Sequence, residues 1–145
     1  MAAILFSAAG RVTWLAAWLF VLLSGVYVVV LMVWFVTRTP DLLQERLRIA
    51  SNVQPWDKFL NVIFAVLMIA LWLTAGLDAG RWGRSTMPLA WQSIGVLGLI
   101  PAGGIIWWAL AVNRYAARWA RIQTDRAQSV VTSGPYRFVR HPMYA

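Results

Sequence analysis

Residues 12–37 read VTWLAAWLFVLLSGVYVVVLMVWFVT, and not one of them carries a charge. A helix rises about 1.5 Å per residue, and roughly 20 helical residues cross the hydrocarbon core of a bilayer. Two further uncharged runs follow at 59–77 and 85–113, each long enough by the same measure. The composition agrees. Hydrophobic residues make up 61% of the 145 and charged residues only 12%, with a mean hydropathy of +0.64, against about 25% charge in ordinary soluble domains. The expected fold is an all-α integral membrane protein of one membrane domain. Its transmembrane helices are expected at about 13–36, 59–77 and 90–112, with a loop at 38–58 and a terminal segment at 114–145.

Met1-Ala-Ala-Ile-Leu-Phe has no basic residue ahead of the first run, and that run is longer than the 7–15-residue core of an export signal, so it reads as a retained span. The chain has no cysteine, which excludes disulfides, thiolate metal sites and cysteine nucleophiles in this stretch. A single histidine without paired ligand spacing argues against a metal site. No Asp, Glu, Lys, Arg or His falls inside a span, so an ion pump or proton relay has no support.

The formal net charge of +8 bears on orientation rather than on nucleic acid. Ten basic residues lie in the first loop and the tail, against three in the N-terminus and second loop. The positive-inside rule then places the tail in the cytoplasm and the N-terminus outside. Trp14, Trp18 and Trp91 fall near the outer interface and Trp34, Trp107 and Trp108 near the inner one, as an anchoring belt. In the third span Pro101 is expected to kink the helix, and Gly98 with Ala102 offers a small face for close packing.

The first loop, RTPDLLQERLRIASNVQPWDK at 38–58, reads as a short surface helix. Thr39 suits its cap, Pro40 its first position, and Asp41 and Glu45 sit early in it. Leu43 and Leu47 form its apolar side, with Leu42 and Ile49 nearby, Arg46 and Arg48 are polar, and Asn52 and Pro55 end it. Beyond the third span, Arg114, Arg118 and Arg121 recur at helical spacing, a stripe suited to anionic lipid headgroups. Ser129 to Thr132 read as extended, and Ser133-Gly134-Pro135 as a turn.

Residues 134–145, GPYRFVRHPMYA, are the chemically dense part. His141 precedes a proline and is biased away from helix, whereas Pro142 is suited to open one. A helix start favours anions. Arg137 and Arg140 add charge, His141 two ring nitrogens, and Tyr136 and Tyr144 flat rings with hydroxyls. From these residues two readings are open: a site for an anionic ligand bearing an aromatic ring, or a juxtamembrane loop touching headgroups.

This segment resembles the signature of the integral-membrane methyltransferases that include isoprenylcysteine carboxyl methyltransferases and phospholipid N-methyltransferases. The similarity reaches back through Arg121–Arg126 and Val130-Val131, and the first loop from Pro40 to Arg46 with Trp56-Asp57-Lys58 is similar to bacterial members. The resemblance implies methyl transfer from S-adenosylmethionine to an amphiphilic acceptor, either a prenylated cysteine carboxylate or a phospholipid-like molecule. It implies a cofactor pocket lined by Gly134, Pro135, Tyr136, Arg140, His141, Pro142, Met143 and Tyr144, with His141 positioning cofactor rather than acting as a base. It also implies that further helices complete the site, so that the 145 residues are an N-terminal part, inactive alone. Membrane sterol and steroid reductases, which use NADPH, have a similar Arg-His-Pro-x-Tyr segment but usually a Trp in place of Tyr136. A non-enzymatic scaffold with a lipid-binding basic tail is the remaining alternative.

Overall fold

The structure, a computed structural model, describes residues 1–48, 53–119 and 127–143. Expectations for Ile49, Asn52, Arg121, Arg126 and Tyr144 concern residues outside those ranges. Among the described residues the protein is all-helical, without strands. Its helices are α1 (Ala2–Ala9), α2 (Leu15–Arg38), α3 (Pro40–Leu47), α4 (Pro55–Leu77) and α5 (Leu89–Val112). A π-turn, Asp78–Trp82, extends α4, and a 3-10 turn spans Gly134–Arg137. α2, α4 with its π-turn, and α5 are each long and apolar enough to cross a membrane. Their large apolar side chains are mostly exposed: Leu22 is 62% exposed, Leu67 61% and Leu97 63%. Such surface suits lipid tails and not water.

The chain forms two compact units, Met1–Val26 with Lys58–Val96, and Tyr27–Asp57 with Leu97–Ala145. In the first, α1 packs against the end of α4. A Cβ at Gly76 would lie 2.6 Å from the Leu5 carbonyl oxygen, and one at Gly80 would overlap the Ala9 carbonyl. This small-x-x-x-small pair is what lets two backbones approach. Arg11 Nη2 donates to the Ala79 carbonyl at 2.6 Å and Arg81 Nη2 to the Ser7 carbonyl at 3.3 Å, while the Asp78 carboxylate accepts the N–H groups of Arg84 and Ser85. Among the described residues the close helix contact expected at Gly98 is absent, since none of their atoms lies within 4 Å of a Cβ built there. Glycine content alone does not tell which face meets a neighbour.

In the second unit Phe35, Leu42, Leu110 and Ala116 form the core, with Trp34, Ile106 and Met143 packed against it. Gly103 supplies the close approach within α5. Tyr27 lies over it and donates its hydroxyl to the Gly103 carbonyl at 3.2 Å. Trp34 and Trp107 meet edge to face at 6.4 Å, so two indoles expected in the membrane belt also pack on each other. α5 runs through Pro101 without interruption.

Three local expectations are corrected. Thr39 precedes α3, but its side chain does not cap it; its carbonyl accepts the N–H groups of Leu42 and Leu43, and Oγ1 is buried without a partner. The inward side of α3 is Leu42, Glu45 and Arg46, with Leu43 half-buried against the same core; only Leu47, 71% exposed, departs from the expected apolar side. Contact with Phe35 and Ala116 turns Leu42 and Arg46 inward, and leaves the Leu43–Leu47 side inward at Leu43 alone. Pro55 opens α4 instead of ending the preceding helix, as its missing N–H allows at a first helical position.

Candidate functional site

The Gly134–Met143 segment is seated on the end of α5. Asn113, the residue that follows α5, accounts for both the helix stop and the seat. Its Oδ1 accepts the Tyr115 N–H at 3.0 Å, and its Nδ2 donates to the Tyr136 hydroxyl at 2.9 Å. A short amide side chain competing for local backbone donors is a natural helix terminator. The chain therefore turns at Arg114-Tyr115, and Arg114 and Arg118, two of the three arginines of the expected helical stripe, lie outside any helix because α5 has ended at Val112; Arg121 lies outside the described residues. Arg118 instead stacks over Trp119 at 5.1 Å.

Gly134 has a φ of 60°, in the left-handed region. A Cβ there would lie 3.0 Å from Val112 Cγ1 and 3.1 Å from Trp108 Nε1. Conformation and space thus both call for glycine, since an L side chain in this region costs about 1–2 kcal/mol before any clash. The Ser133 carbonyl accepts the Tyr136 N–H at 3.2 Å and closes the 3-10 turn. Pro135 and Pro142 are buried, Tyr136 and Met143 half-buried, and Arg137, Arg140 and His141 exposed. The expected turn at Ser133–Pro135 is present, and residues 129–132 carry no regular structure. The chain turns again at Pro142-Met143; the helix expected after Pro142 would lie in residues beyond the described ones.

The sequence-predicted site residues therefore divide by role. Gly134, Pro135, Tyr136, Pro142 and Met143 hold the segment against the end of α5 and its surrounding core. Arg140 and His141, with Arg137, present polar groups outward. The Tyr136 hydroxyl is engaged by Asn113, so that phenol positions the turn.

Arg46 ties α3 to the same region. Its Nη1 donates to the Ala116 carbonyl at 2.7 Å, and its guanidinium lies 5.7 Å over the Phe35 ring. Burial, and then the nearby Arg118, push its pKa down from the usual arginine value. Sequence reading did not assign Asn113 or Arg46 a structural role at this site. The available signals were an amide directly after an apolar run and a cation four residues after Leu42.

A separate cavity of about 380 Å³ is lined by Arg38, Thr39, Pro40, Asp41, Leu42, Arg114 and Tyr115. No residue of the Gly134–Met143 segment lines it. Comparison with protein-family models, curated proteins and solved structures returns no match.

Proposed function

We propose that the protein takes part in S-adenosylmethionine-dependent methyl transfer to a lipophilic or amphiphilic acceptor. On this reading it lies in a bacterial inner membrane, with its N-terminus outside and the Gly134–Met143 segment at the cytoplasmic interface. The observation that carries the reading is the seating of the GPYRFVRHPM segment directly beyond the apolar stretch of α5. Gly134 is fitted against Trp108 and Val112, Tyr136 is held by Asn113, and Arg137, Arg140 and His141 remain exposed. This donor set suits the cofactor, because exposed guanidiniums match a carboxylate in charge and geometry.

When bound, the cofactor supplies an electrophilic methyl group on a sulfonium. Arg140 would bind the carboxylate, with Arg137 adding local positive charge, and His141 would orient the cofactor. The buried prolines fix the backbone that carries these groups. In-line displacement needs alignment of two bound partners and no covalent protein intermediate, which accords with the lack of a nucleophile–base pair in the segment.

The test is calorimetric titration of the purified protein, in bilayer discs, with S-adenosylhomocysteine and separately with NADPH. Binding of the former, weakened by Arg140→Gln and by His141→Ala, is expected. Binding of NADPH alone would replace this reading with a reductase. Binding of neither would leave the lipid-scaffold alternative.

A further inference from the structure

The cavity beside α3 has chemistry of its own. Arg38 is the last residue of α2, and Arg114 lies two residues after the end of α5. Both stand at the ends of helices long and apolar enough to cross a bilayer, so the cavity lies at the depth where hydrocarbon gives way to headgroups. Both side chains are exposed, and among the described residues neither guanidinium has an ion-pair or hydrogen-bond partner. Thr39, also on the lining, has a hydroxyl buried without a partner. Tyr115 donates its hydroxyl to the Ala127 carbonyl at 3.4 Å.

Asp41 brings the lining's one carboxylate, against two guanidiniums. It sits in the first turn of α3, where the helix dipole favours a negative charge. The surplus is positive, and the arginine fork fits a phosphate with paired hydrogen bonds. The volume is many times the roughly 30 Å³ share of one water, leaving space for a phosphodiester and the glycerol attached to it.

We propose that this cavity binds the headgroup phosphate of an anionic phospholipid, with Arg38 and Arg114 as its ligands. The site is separate from the Gly134–Met143 segment and does not depend on the methyl-transfer reading. A lipid held here would brace the α2–α3 corner against the turn after α5, across the same span that Arg46 bridges from within the protein.

The test uses the full chain, delipidated in mild detergent and given phosphatidylglycerol, phosphatidylcholine or inorganic phosphate, with bound lipid read by native mass spectrometry. Phosphatidylglycerol should be retained in preference to phosphatidylcholine. Arg38→Gln and Arg114→Gln should each weaken its retention by about five- to tenfold. Asp41→Asn should strengthen it, and Arg84→Gln, in the other unit, should leave it unchanged. Circular dichroism verifies that each variant is folded, and Arg38→Lys, which keeps the charge but loses the fork, should retain an intermediate amount. Equal retention of the two lipids would overturn the proposal. So would unchanged retention in both glutamine variants, or displacement of phosphatidylglycerol by an equal concentration of inorganic phosphate.

Discussion

At the scale of single residues, Asn113 carries more than its position suggests. It donates to Tyr136 and accepts from the Tyr115 N–H, so Asn113→Ala removes two hydrogen bonds, a loss of about 1–2 kcal/mol. Asn113→Asp should stay near wild type, because a carboxylate accepts from both the Tyr115 N–H and the Tyr136 hydroxyl. Thermal unfolding in detergent measures the difference. Arg46 makes a second prediction. Arg46→Gln should lose about 1–3 kcal/mol with its charged hydrogen bond to Ala116, measured in the same way. The sign of its pKa shift is that of a base held less tightly protonated in the folded state. Stability would therefore rise with pH only near arginine's own titration range, and Arg46 should leave the unfolding midpoint flat from about pH 5 to 9. Neither residue announces its role in the sequence, because each acts through a carbonyl, amide or hydroxyl that only the folded chain brings within reach. Gly134 was legible, since a glycine ahead of a proline marks a turn whatever surrounds it.

At the scale of elements, the three long helices were legible because a charge-free run of this length has few other uses, and their ends fall close to where the charges return. The short elements were not. α1 is eight residues long, too short to be stable alone, and it depends on the glycines of α4 for its seat. Gly80→Ala should release it, because the added methyl would meet the Ala9 carbonyl backbone and not a flexible side chain. Trypsin cleavage after Arg11 should then accelerate relative to wild type; equal rates would show that α1 is held some other way. The inward face of α3 was only partly legible, for a related reason. Eight residues hold two leucine-bearing stripes of similar strength, and the choice between them belongs to Phe35 and Ala116 in other elements. The Gly134–Met143 turn was legible as a chemical cluster, whereas its seat on Asn113 was not.

At the scale of the whole molecule, the absence of cysteine makes orientation directly measurable. Single substitutions Ser133→Cys and Ser85→Cys should label from opposite sides of sealed vesicles, the former from the cytoplasmic face. Labelling of both from one side would overturn the proposed orientation. The exposed apolar helix faces have a calorimetric consequence as well. A water-soluble protein gains about 12–15 cal/mol/K of heat capacity per residue on unfolding, because buried hydrocarbon meets water. Here Leu22, Leu67 and Leu97 already face outward in the folded chain, and in a bilayer they stay in contact with lipid when the helices separate. Scanning calorimetry in lipid should therefore record a heat-capacity step well below that range, confined to small clusters such as Phe35, Leu42 and Leu110, and a stability curve with correspondingly little curvature.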